Sequence, residues 1–460
     1  MKTSSPFDHS ALHEKAADSI ERKGTELLGL GVKRPFPKRA PDPFPTRREM
    51  ETITDRDIIG EPKLSYTDIT GRTLARYFAK EGHEIGLFDG GYDALRRLVE
   101  QTLKTKPFNQ GLSPEFLEEQ VFDWWIENYG ADKPSSLSEH LIAKADDAFS
   151  EHHLVIPISA IEIERPFQIG DVLVAPMNRQ MLTEMGKAAK EKNPEQADII
   201  NKKIGDFVRE LGHLTAVQVK VVGEVGFAKA HAERRAFQVA EMLRFMSPAA
   251  LSWNVAFPCF PHGCHHNRTT TVLTVADNAI LNISEGLLDY GMFSWRMTFA
   301  ELDRDMKNGF SNFASFFKSA PLTPFQERVG KAISTFSEGV GSHNVNNRLV
   351  YAMSSLEHLF LRDEQEPIQS GVGDRIAFLI EKEGGKRREI VANFKKSYSL
   401  RSKQIHHLST VDDEKTLSEF FKNSWMALYR ALTLMPNFTT HLEFLNAIEN
   451  VKYGGGRTEA

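Results

Sequence analysis

The chain has 460 residues, 41% hydrophobic and 26% charged, which is the composition of a soluble globular protein with room for two or three domains. A formal net charge of −5 excludes a uniformly basic nucleic-acid binder, so any such role must come from a local patch. Two cysteines exclude a disulfide framework, and no apolar run approaches the roughly 18 residues needed to cross a bilayer. With no apolar leader in MKTSSPFDHS, a cytoplasmic protein that avoids the membrane is expected.

Residues 1–62 are polar and rich in proline, with KRPFPKRAPDPFPTRRE at Lys33–Glu49, and read as a tail with short helical turns near Ala11–Leu30. Residues 63–150 read as helical: Leu74, Tyr77 and Phe78 fit one face, Leu95, Leu98, Val99 and Leu103 a second, and Phe116 to Trp125 a third. At 151–320 the pattern changes to a mixed α/β region. LVIPISAIEIERPFQIGDVLVAP alternates at period two, Met181–Arg209 is a charged helical segment, Thr215–Val225 is a strand, and Ala228–Met246 is a helix. Thr270–Val275 and Ala279–Ile283 read as further strands. No phosphate-binding glycine loop, HExxH or GxSxG occurs. Within this region CFPHGCHH brings Cys259, His262, Cys264 and His265 close together, soft ligands that are weak candidates for zinc; the spacing fits no standard zinc pattern, so neither a metal nor a cofactor is expected.

Residues 323–451 are helical throughout. One stripe runs through Leu349, Met353, Leu356 and Phe360, a second through Val372 and Ile376, and a fourth through Leu417, Phe420, Phe421 and Leu428. Breaks at Glu364–Pro367, Gly384–Gly385 and Ser409–Asp413 divide these into an antiparallel bundle, with Asp412 or Asp413 capping the last helix. The third stripe holds Ile390, Val391, Phe394, Tyr398, Arg401 and Ile405, which turns Arg401 inward, where a guanidinium needs a partner or a task. His406 and His407 follow five and six residues later, about 140° and 240° around a straight helix. Convergence with Arg401 therefore requires the helix to end or bend near Ile405.

An arginine followed within a few residues by histidine, late in an all-α bundle, resembles the HEPN domain family. YSLRSKQIHH is most similar to its ApeA-like branch, found in bacterial phage-defence proteins. SSLEHLF puts Glu357 where the family's first long helix carries a glutamate, and GDRIAFLI puts Arg375 where its second carries an arginine. The fold expected is thus α+β: an N-terminal helical and mixed α/β region followed by a C-terminal all-α HEPN helical bundle. The resemblance implies a metal-independent endoribonuclease acting as a homodimer, in antiviral defence by abortive infection, with the N-terminal region sensing a phage-derived trigger. Arg401, Ser402 and either His406 or His407 are the implied catalytic residues. Ser402 stands where many active members carry Asn, Asp or His, which keeps a non-catalytic dimerisation, nucleotide- or RNA-binding module open as the alternative.

The residues suit the chemistry. An imidazole titrating near neutrality takes a proton from a ribose 2′-hydroxyl, and a planar guanidinium stabilises charge on phosphoryl oxygens. Between Lys382 and His407 the eight cations Lys382, Lys386, Arg387, Arg388, Lys395, Lys396, Arg401 and Lys403 face only Glu383 and Glu389. Lys386, Arg387, Arg388, Lys395, Lys396 and Lys403 are the expected RNA contacts. Glu357 and Arg375 are expected to pair with each other and tie the first helix to the second. A weaker possibility is a metal-dependent nuclease in the α/β region, where Asp171 and Lys220 lie near strands.

Overall fold

The computed structural model describes residues 7, 11–35, 63–80, 83–192, 194–264, 269–276, 279–287, 294–307, 309–318, 320–407 and 413–454, with the backbone alone at 269–287 and 403–407. It divides into two compact units, residues 1–152 with 221–231, and residues 153–220 with 232–460.

In the first unit, helix α1 (Glu14–Leu28) leads into strand β1 (Val32–Pro35). Strands β2 (Lys63–Thr67), β3 (Thr73–Lys80) and β4 (His83–Phe88) complete an antiparallel sheet in the order β1-β4-β3-β2. Helices α2 (Gly90–Thr102), α3 (Pro114–Asn128) and α4 (Leu137–Ala148) follow. The helical reading of Leu74, Tyr77 and Phe78 is overturned. In a strand, neighbours point to opposite faces, so Phe78 joins Ile85, Leu87, Trp124 and Trp125 in the main core, while Tyr77 stacks on Phe88 and Tyr66 on the other face.

The helical turns read near Ala11–Leu30 form α1, which packs into the core of this unit. Ile20, Gly24 and Leu27 of α1 are buried, and Glu21 accepts hydrogen bonds from Ser136 Oγ (2.7 Å) and the Ser138 amide (2.8 Å), satisfying the start of α4. Arg34 is engaged by Glu84 at 2.8 Å and lies 3.7 Å over the Phe88 ring.

The second unit opens with β5 (Ser150–Ile158), β6 (Ile161–Ile163), β7 (Phe167–Ile169) and β8 (Val172–Pro176). The charged segment forms two helices, α5 (Arg179–Lys192) and α6 (Ala197–Leu211), with Pro194 between them. Strand β9 (Thr215–Gly223) completes a sheet ordered β5-β9-β8-β7, and helix α7 (Val225–Met246) follows. β10 (Thr269–Ala276) and β11 (Ala279–Leu287) form an antiparallel hairpin, and β12 (Trp295–Met297) runs parallel to β6. Helix α8 (Phe299–Lys307) and a 3₁₀ turn, Phe310–Phe317, lead into the helical region.

That region holds α9 (Pro324–Gly341), α10 (Val345–Phe360), α11 (Ile368–Ile380), α12 (Gly384–His407), α13 (Glu414–Leu434) and α14 (His441–Lys452). Gly384 and Gly385 open α12 instead of standing as a separate link. Capping boxes at Thr323 and Thr440, and Asp413 accepting from the Thr416 amide at 3.1 Å, set three of the helix starts; Asp412 lies outside the described residues. The stripes of α10, α11 and α13 are buried as their spacing requires.

Two arginines fasten the extended segment before the hairpin to these helices. Arg348 donates to the carbonyls of Ser252 (2.6 Å), Ala249 (3.1 Å) and Val255; Arg244 donates to those of Cys259 (2.6 Å) and Ser337 (3.0 Å). Both sides of the chain are thereby spared unpaired buried carbonyls. No helix among the described residues is long and apolar enough to cross a membrane.

Candidate functional site around Arg401

Helix α12 turns one face into the helical region. Asn393 and Phe394 are buried, Ser397 follows one turn later, and Arg401 one turn after that is half-buried. Phe394 packs on Phe420 of α13, and Asn393 Nδ2 donates to the Thr416 carbonyl at 2.9 Å. Those two contacts set the rotation of α12 and bring Arg401 toward α10. There its positive charge is felt by Glu357: burial pushes that carboxyl above its ordinary range, and the Arg401 charge works against the rise.

Three buried polar atoms gather here without a hydrogen-bond partner among the described residues: Glu357 Oε1, Ser397 Oγ and Arg401 Nε. Such an atom costs about 1–3 kcal/mol, so three at one place in a helical core need a reason. Arg401 makes no hydrogen bond among the described residues and lies 6.0 Å from the Tyr398 ring centroid. By comparison, Arg348 and Arg375 engage both terminal nitrogens, and only their Nε atoms lack a partner among the described residues. Ser397 is absent from the sequence-derived set of site residues, although its position one turn before Arg401 on the same face was a usable signal.

Two expectations are corrected. Arg375 does not pair with Glu357. It grips Glu366 through both terminal nitrogens at 2.7 Å, Glu449 at 2.7 Å and the Phe360 carbonyl at 2.6 Å. Helix α12 does not end near Ile405; it runs through His407, so both histidines sit in its last turn and not on a following loop. Ser402 is half-buried beside Arg401, and the side chains of Lys403, His406 and His407 lie outside the described residues.

The basic segment is also less free than its composition suggests. Lys386 pairs with Glu383 at 3.0 Å, Lys396 pairs with Asp413, and Arg387 donates to the Glu381 carbonyl at 2.8 Å while covering the Phe378 ring at 4.2 Å. Arg388 and Lys395 remain exposed along a groove of about 510 Å³ whose other walls include Asp374, Phe378 and Arg387. Lys382 is likewise exposed.

The cysteine–histidine cluster does not assemble from its described members. Cys259 is fully buried, burial pushes its thiol up to about 12, and Cys264 is exposed. His262 Nδ1 lies 3.3 Å from Ser159 Oγ, and His265 lies outside the described residues. No group of three or more His, Cys, Asp or Glu that could hold a metal occurs among the described residues. Asp171 is taken up by Arg235 at 3.2 Å.

Fold and site together define an α+β protein with a helical C-terminal region and an under-bonded arginine in that region. No family model, curated protein or solved structure matches the chain.

Proposed function

We propose that the C-terminal helical region is a HEPN-type, metal-independent endoribonuclease that works as a homodimer. The observation that carries this reading is Arg401: a half-buried guanidinium that makes no hydrogen bond among the described residues, beside the buried carboxyl of Glu357 and the unpartnered hydroxyl of Ser397. A planar fork left unused is free to bind a phosphoryl group.

In this reading His406 or His407 takes the proton of a ribose 2′-hydroxyl. The 2′-oxygen attacks the adjacent phosphorus, Arg401 stabilises the charge that builds on the phosphoryl oxygens, and the bond to the 5′-oxygen breaks. The departing oxygen takes up a proton, leaving a 2′,3′-cyclic phosphate and a 5′-hydroxyl. Arg388 and Lys395 guide the RNA backbone along their groove. The remaining chain senses a trigger and restrains the nuclease, a role suited to a cytoplasmic antiviral system.

A second reading, a non-catalytic HEPN-type module for dimerisation or for nucleotide or RNA binding, is favoured by one observation. Helix α12 continues through His407, which places both histidine positions away from the Arg401 face within one protomer.

The test is RNA cleavage by the full-length protein in excess chelator, with the new ends identified. Cyclic-phosphate ends that fall by about 10²-fold or more in Arg401→Ala support the ribonuclease. Cleavage that survives Arg401→Ala sinks it. RNA binding without cleavage moves the assignment to the second reading.

A further inference from the structure

A cavity of about 720 Å³ lies within the second unit, well away in sequence from α12. Helix α7 contributes Glu241 and Met242, the 3₁₀ turn contributes Phe313, Phe316 and Phe317, and α9 and α10 contribute Ser334 and His358. Its size is that of a small-molecule site, and its walls mix aromatic and aliphatic side chains with polar ones, Glu241, Ser334 and His358 among them. Gly330 shapes one wall: a Cβ there would stand 3.1 Å from the Phe316 ring, so a larger residue would push that ring back by a few tenths of an ångström.

Around Glu241 two carboxylates face one guanidinium. Arg244, one turn after Glu241 on α7, is fully buried and donates to the Ser337 carbonyl, the Cys259 carbonyl and the Glu338 carboxylate. Two carboxylates, Glu241 and Glu338, therefore share one guanidinium, and Glu338 already holds it. Burial raises the Glu241 carboxyl above its ordinary range, with Ser334 and the Arg244 charge working against the rise. At the rim, the exposed cation Lys331 follows the exposed anion Glu327 by one turn, so the two offset each other. His358 is held toward its neutral form by burial and by Arg328 and Lys331, and its Nε2 has no hydrogen-bond partner among the described residues. Arg328 and Lys331 thus set positive charge at the His358 side, while Glu241, which forms no ion pair among the described residues, sets a carboxylate in the wall shared with the phenylalanine rings.

We propose that this cavity binds an organic cation, with a primary ammonium paired to Glu241 and an aromatic or branched apolar body against Phe313, Phe316 and Phe317. The carboxylate supplies the counter-charge, the ring faces supply cation–π attraction, and the apolar body excludes water from both. The proposal shares no residue with the site around Arg401 and does not depend on RNA cleavage.

The experiment is calorimetric titration of the full-length protein with three probes of one shape: benzylammonium, benzyl alcohol and benzoate. Benzylammonium is expected to bind saturably, at least tenfold more tightly than either of the others. Glu241→Gln is expected to weaken it at least tenfold and to leave benzyl alcohol unchanged. Phe316→Leu, which keeps apolar volume and removes a ring face, is expected to weaken it threefold or more and serves as the test if Glu241→Gln does not fold. Benzoate binding as tightly as benzylammonium, unchanged benzylammonium binding in the folded variants, or no saturable binding by the wild type each overturns the proposal.

Discussion

Arg375 on α11 reaches Glu449 on α14 at 2.7 Å while holding Glu366, on the α10–α11 connection, with two further bonds of 2.7 Å. The arginine side chain is 7% exposed and the two acids 20% and 30%, so the cluster is largely but not fully withdrawn from water. It depresses both carboxyls despite the opposing cost of burial.

Removing the arginine strands two carboxylates at once. Arg375→Met is expected to lower stability by about 2–4 kcal/mol, below the range for a fully buried pair because water screens the acids. Glu449→Gln, which leaves Glu366 in place, is expected to cost about 1 kcal/mol. Urea unfolding of the full-length protein checks the order; equal, small effects would show that the cluster contributes little.

The exposed cations of the α12 groove give a second prediction. Arg388→Ala and Lys395→Ala are each expected to weaken RNA binding evenly across sequences and to reduce the slope of log affinity against log salt by about 0.7, as for one lost phosphate contact on a single strand. Lys386→Ala and Lys396→Ala, whose charges are already shared with Glu383 and Asp413, are expected to change the slope less. A fluorescence titration at several salt concentrations reads this directly, and identical slopes in all four variants would remove the groove from the RNA path.

His441 predicts a pH dependence. Its Nε2 lies 2.8 Å from the Leu359 carbonyl, and burial, helped by the nearby charges of Arg328, His358 and Arg375, lowers its pKa from 6.5 to about 4. The folded protein therefore binds fewer protons than the unfolded chain between these values. Stability from this group is complete above about pH 6.5 and is lost as pH falls toward about 4. His441→Gln is expected to flatten that part of the stability profile, measured by denaturant midpoints from pH 7 to pH 4. A wild-type midpoint that rises on acidification in both proteins would contradict the assignment.

Much of the helical region was legible in the residues. Leu349, Met353, Leu356 and Phe360, or Leu417, Phe420, Phe421 and Leu428, repeat at helical spacing, and a local period needs no knowledge of the rest of the chain. The inward setting of Arg401 was legible for the same reason. The strand β3 was not: Leu74, Tyr77 and Phe78 satisfy a helical spacing by coincidence, and pairing with β2 and β4 overrides it. The end of α12 was misplaced because the turn near Ile405 was inferred from the chemistry wanted of the histidines, and the local residues contain no glycine or proline to stop a helix there.

By itself, then, the sequence determined the places of the C-terminal helices, the face on which Arg401 lies and the concentration of basic residues around it. Tertiary structure alone decided which charge each of those groups meets: Arg375 finds Glu449 74 residues away, Glu357 is left to Arg401, and Lys386 and Lys396 are drawn off by neighbouring acids. Periodicity is set by neighbours along one helix. The partner of a buried charge is set by how several helices pack, and a guanidinium with two carboxylates in reach takes the arrangement that leaves the least charge unpaired.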